Sequence, residues 1–229
     1  MGCICINITN DKYALENIIN NEYKNNITQI HSNLKITNYV KTVFYLINKI
    51  RTNPADFADF VISSQKYIIE IGDRIIFDHK IKVALNEGKK MFLDCADYLR
   101  KLSPMEELIF NDDIVLECPT ESNNIKDINY FKDKVLEKKK IQNIEAYFKD
   151  SISEPEISVL LMIVDDTSKN QKKKRETVLN PNFKYIGISA TDDLYESKLN
   201  KDSTNNKNNN IYKNINSKTF PFCAYFSFK

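Results

Sequence analysis

The chain has no stretch approaching the ~18 consecutive apolar residues of a membrane-spanning helix. Nor does it open with a basic stretch followed by an apolar core, so no secretory signal is expected. Without export, the Asn-x-Thr sequons at Asn7 and Asn26 are expected to stay unmodified. The five cysteines are odd in number and lack any Cys-x-x-Cys pair, which argues against a disulfide framework or a cysteine-built zinc site. Cys95, Cys118 and Cys223 are isolated and read as reduced, buried thiols. Net charge is small as well: 33 Lys and Arg stand against 31 Asp and Glu, so bulk charge does not mark a nucleic-acid binder. Tryptophan is absent and glycine occurs only four times, whereas asparagine, isoleucine, lysine and tyrosine are abundant. That bias fits an AT-rich coding sequence, and asparagine runs then carry little functional meaning.

What is present begins at the first residues, MGCICINITN. Removal of Met1 would leave Gly2 with the free amine that myristoylation requires, and Cys3 and Cys5 lie within reach of the same bilayer for palmitoylation. One acyl chain binds a bilayer marginally and two hold it, so dual acylation predicts a protein at the cytoplasmic face of a membrane. Ile6 stands where the motif usually carries Ser or Thr, and an unmodified terminus is the alternative.

Residues 1–37 read as this anchor followed by a polar arm, and residues 38–229 as one domain. Val40, Val43, Phe44, Ile47 and Ile50 recur at helical spacing. Asn53, Pro54 and Asp56 then suit the start of a second helix as cap, first-turn proline and dipole partner. A third helix is expected over 81–102, with Ala84, Gly88, Met91, Phe92, Cys95 and Leu99 on one face and His79 at its start. A short helix is expected around 111–118, burying Ile114 and Cys118. EISVLLMIVDD fits a buried strand or a buried helix equally well. FKYIGISA and FPFCAYFSF alternate like strands, and the Asn- and Lys-rich run at about 197–217 between them reads as a disordered insertion.

INKIRTNPADFADF, NEGKKMFLDCADYLRKLSP, IQNIEAY, ISVLLMIVDD, KKKRETVLNPNFKYIGISATDD and FPFCAYFSF follow one another in an order that resembles the CAP superfamily. This is the group of cysteine-rich secretory, antigen 5 and pathogenesis-related proteins, and the chain is most similar to its divergent protist branch. The resemblance implies an α+β fold: a three-layer α-β-α sandwich around a small antiparallel sheet, with ISVLLMIVDD as a helix. It also implies a cleft where the family holds a divalent metal through histidines and acids. Here the Glu-Asn-Ile element stands as Gln142-Asn143-Ile144 and the Gly-His-Arg element as Lys173-Lys174-Arg175. His31 and His79 fall outside the family's ligand positions. The resemblance therefore implies a degenerate cleft of Gln142, Asn143, Lys174 and Arg175, with no metal, no cofactor and no catalytic residue.

Two basic runs, 138–140 and 172–175, read as solvated surface or as cations facing an anionic leaflet. Asp165-Asp166 reads as a helix end rather than a catalytic pair, and Ser151 or Ser153 would lack a histidine base. The expected function is an acyl-anchored, catalytically inactive interaction or lipid-contact module, with anionic lipid, a sterol or an unidentified protein as partner and no nucleic acid. A lipid or sterol carrier is the alternative, and a hydrolase or protease is disfavoured.

Overall fold

The structure, a computed structural model, describes residues 30, 32–34, 36–116, 136–140, 142–166, 173–191 and 222–229. Gly2, Cys3, Cys5, His31, Cys118 and the 197–217 run lie outside them.

Helix α1, Asn38–Thr52, buries Val40, Val43, Ile47 and Ile50, as their spacing dictates. The Thr37 hydroxyl accepts from the Val40 N–H, and Lys49 and Arg51 sit in the last turn at the negative end of the dipole. Asn53 alone leaves helical geometry before α2, Pro54–Ser63, takes over with proline in its first turn. The Asn53 side chain makes no capping bond, contrary to the sequence expectation; its backbone N–H instead returns to Lys49.

The helix expected over 81–102 begins as a strand and becomes helical only from Lys89. Residues 68–85 form an antiparallel meander of β1 (Ile68–Ile71), β2 (Arg74–His79) and β3 (Ile81–Leu85). Helix α3 begins only at Lys89 and runs to Lys101, burying Met91, Phe92, Cys95, Ala96 and Leu99. Gly88 breaks the run at φ 60°, and a Cβ there would lie 2.7 Å from Ile75 Cγ2. Ala84 therefore faces outward from β3 rather than into a helical core, and His79 ends β2.

The second sheet has the order β4-β6-β7-β5, built from β4 (Ile109–Phe110), β5 (Ala146–Asp150), β6 (Tyr185–Ala190) and β7 (Ala224–Phe228). β4 pairs parallel with β6 and the other pairs are antiparallel, so the sheet is mixed within an α+β fold. Helix α4, Pro155–Val164, is buried at every residue from Ile157 onward, and it packs against α1. An element apolar on all sides belongs in the interior, which resolves the ambiguity of ISVLLMIV in favour of a helix.

Alternation in β6 and β7 separates two faces. Ile186, Ile188, Phe226 and Phe228 point into the main core, while Tyr185, Gly187, Ser189, Tyr225 and Ser227 point the other way. Across that second face runs the segment ending at Ile114–Leu116. Gly187 lets it approach, since a Cβ there would meet Ile114 C and Val115 N at 2.8 Å. The Ser227 and Ser189 hydroxyls donate to the Ile114 and Leu116 carbonyls. Among the described residues of the helix expected over 111–118, only Asp112–Ile114 is helical, as a single 3-10 turn.

Candidate functional site

Helix α5, Lys173–Val178, carries Lys173, Lys174 and Arg175 of the second basic run beside the end of β5 and the end of α4. Lys174 Nζ lies 2.9 Å from Asp150 Oδ1 and 5.6 Å from the centre of the Phe148 ring. The other oxygen of Asp150 accepts the Ser158 hydroxyl at 2.7 Å. The Tyr39 hydroxyl lies 3.0 Å from Ser158 Oγ and 3.1 Å from the Ile152 carbonyl, and donates its one proton to either. Residues from α1, α4, α5 and β5 thus share one polar network.

Ser158 next to a carboxylate and an ammonium is chemically suggestive, but its side chain is sealed from solvent and its proton is held by Asp150. A substrate cannot reach it without opening the core. The serines singled out from sequence, Ser151 and Ser153, are both exposed and stand outside this network. One signal for Ser158 was available: from Ile157 onward it is the single polar residue in an otherwise apolar helix, and such a residue needs a partner.

Arg175 is 2% exposed. Its Nε donates to the Ile163 carbonyl at 2.7 Å, its Nη2 to the Val164 carbonyl at 2.8 Å and its Nη1 to Asp94 Oδ2 at 2.9 Å. The side chain satisfies the orphan carbonyls at the end of α4, where the helix dipole is negative. It is a helix clamp, and not a cation raising the potential of an open cleft. Arg51 is a counterpart that sequence reasoning missed, donating to the carbonyls of Glu106, Val178, Asn180 and Phe183. Burial pulls its pKa down from the ordinary arginine value.

Asp165 and Asp166 follow α4 and are fully buried. Asp165 adopts left-handed geometry at φ 55°, and its Oδ2 accepts the Lys174 N–H at 2.7 Å and the Arg175 N–H at 3.5 Å. The Asp166 carboxylate accepts the N–H groups of Glu87 and Gly88, at the start of α3. They do end α4, as the sequence suggested, and each also caps a different helix. Burial pushes both carboxyls above the ordinary carboxylate range, and the backbone N–H bonds only partly offset it. Among the described residues Asp165 Oδ1 has no hydrogen-bond partner. Beside this group the Cys95 thiol is buried and pushed up to about 12 by desolvation, the reverse of an activated cysteine.

The four residues expected to share a cleft are dispersed. Lys174 is held at the Asp150 end of β5, whereas Gln142 and Asn143 precede its Ala146 end, about 13 Å away at the ordinary strand rise. Gln142-Asn143-Ile144 is also not a strand: Asn143 turns at φ 54°, and Ile144 packs with Ile114 and Leu116. Gln142 Oε1 is buried without a partner among the described residues. His79 lies with its ring 4.2 Å from that of Tyr67. In the first basic run, Lys138 Nζ donates to the Val115 carbonyl and Lys139 lies over the Tyr147 ring, so these two cations pack onto the protein. Among the described residues no three His, Cys, Asp or Glu side chains are placed to hold a metal ion, and no helix is long and apolar enough to cross a membrane. Compared with known protein families, with characterised proteins and with solved structures, the chain matches none.

Proposed function

We propose that the protein is a non-catalytic contact module of degenerate CAP type, held at the cytoplasmic face of a membrane by acyl chains on Gly2 and on Cys3 or Cys5. The observation that supports it is the employment of Lys174 and Arg175. Both are engaged in internal ion pairs and helix capping, so neither is left to bind or polarise a substrate. The meander supplies a surface suited to the second half of the reading. Its outer face carries Ile69 and Ile71, 41% and 60% exposed, beside Ile76 and Ala84. Arg74 and Lys82 share that face, and Lys82 already neutralises Asp78 at 3.0 Å. Isoleucines flanked by a surplus cation match the boundary of an anionic leaflet, where each nearby cation contributes about 1 kcal/mol.

Co-sedimentation of the acylated full chain with anionic vesicles tests this. Gly2→Ala should move the protein to the soluble fraction, and Ile69→Asp with Ile71→Asp should weaken binding of the acylated chain. Undiminished binding by the Gly2 variant would remove the anchor, and undiminished binding by the isoleucine variant would remove the contact face.

A further inference from the structure

The arm joins the domain through a small clasp that none of these contacts explains. The Ser32 hydroxyl donates to Asp112 Oδ1 at 2.6 Å, and the Asn33 N–H donates to Asp112 Oδ2 at 2.7 Å. The Leu34 N–H closes the loop by donating to Ser32 Oγ at 2.9 Å. One carboxylate, 80 residues along the chain, thus grips two consecutive arm residues. Ile30 and Ile36 pack against the core on either side of the gripped pair. Ser32 is half-buried and Asn33 and Leu34 are exposed, so the clasp is reachable from solvent. Its charge is one-sided: among the described residues Asp112 has no cationic partner, and Asp113 stands next to it.

We propose that Ser32 and Asp112 form a charge-operated latch on the N-terminal arm, with Ser32 as a phospho-acceptor. A protein kinase would join Ser32 Oγ to the γ-phosphorus of a nucleoside triphosphate. The bond from that phosphorus to its bridging oxygen breaks, nucleoside diphosphate leaves and the hydroxyl proton passes to solvent. The product has lost the proton that held Oδ1 and carries a charge of about −1.5 to −2 against a carboxylate. Attraction becomes like-charge repulsion, and the Asn33 N–H is pulled off Oδ2. The core is untouched, because Asp112 lies at the surface end of its 3-10 turn while Ile114 remains buried beneath the sheet.

Amide hydrogen exchange on the full chain reads the latch directly and does not depend on acylation. In Ser32→Glu the Asn33 amide should exchange about tenfold faster or more, the loss of a charge-assisted bond, while amides of α4 keep their protection. Ser32→Ala should give a smaller increase, since it removes the hydroxyl donor and adds no charge. In an Asp112→Asn background Ser32→Glu should add little, because the repelling carboxylate is gone. Equal effects of Ala and Glu at position 32, or unchanged Asn33 exchange in Ser32→Glu, would overturn the latch. If Ser32→Glu unfolds the chain, Asp112→Asn decides: unchanged Asn33 protection there overturns it equally.

Discussion

The two sheets solve the same problem differently. In the four-stranded sheet both faces are covered, the inner by helices and the outer by the segment ending at Ile114–Leu116. Among the described residues the meander is covered on one face only, where Ile68, Phe77 and Leu85 enter the core, and its other face leaves isoleucines exposed. The side chains account for the difference. A crossing backbone needs room and donors for its carbonyls, and the outer face of β6 and β7 offers Gly187, Ser189 and Ser227. The outer face of the meander carries Ile69, Ile71 and Ile76 among charged side chains, with no glycine and no hydroxyl to receive a crossing backbone in the same way. Apolar surface that a fold does not cover for itself is the surface most available to something else.

The largest expected effect tests what holds the covered region together. Arg175→Met should cost about 3 kcal/mol or more in urea unfolding, because two buried carbonyls and Asp94 lose their donors. A loss below about 1 kcal/mol would show that the end of α4 satisfies itself in another way. Next comes Gly187→Ala, which forces the added Cβ onto the crossing segment and should cost about 1–3 kcal/mol. The same glycine-to-alanine change at Gly72, whose Cβ would meet nothing, tests backbone strain at φ 56° alone; equal losses at both sites would dissolve the contrast between crossed and uncrossed surface.

A smaller effect is electrostatic. The folded pKa values of Asp165 and Asp166 lie above those of the unfolded chain, so the folded state takes up protons first on acidification. Their contribution to stability therefore grows as pH falls through the raised folded values and is lost as pH rises through them. Relative to Asp165→Asn, the wild type should gain stability between pH 7 and the ordinary carboxylate range. Parallel stability curves for the two proteins would contradict this. Smallest of all, Ile71→Thr on the open face should change stability by less than about 0.5 kcal/mol. A larger loss would mean that the meander's outer face is packed after all.

The two sheets also differ in how well the sequence announced them. β6 and β7 alternate cleanly enough that both could be read as strands directly. The meander escaped because isoleucines on both faces erase alternation, and because Ala84, Gly88 and Met91 fall by chance at helical spacing. What makes Ile81–Leu85 a strand is pairing with β2, and only the positive φ of Gly88 marks locally where the helix begins. At the site the difficulty was similar. The acids of Asp165-Asp166 were legible as a helix end, but their second role depends on amides 9 and 78 residues away. Ser158 and Arg51 went unnoticed because their partners are backbone carbonyls or side chains brought close only by the fold.

Adjacent residues that grip separate helices have a mechanical consequence. Asp165 holds the first amides of α5 and Asp166 those before α3, and one peptide bond joins the two grips. Neither helix can lift without straining the left-handed turn that the other shares. The amides of Glu87, Gly88, Lys174 and Arg175, far apart in the chain, should therefore become exposed to solvent in one concerted opening event, with a common opening free energy. Such a joint behaves as a single rivet through three plates: loosening it at any point frees α3, α4 and α5 together.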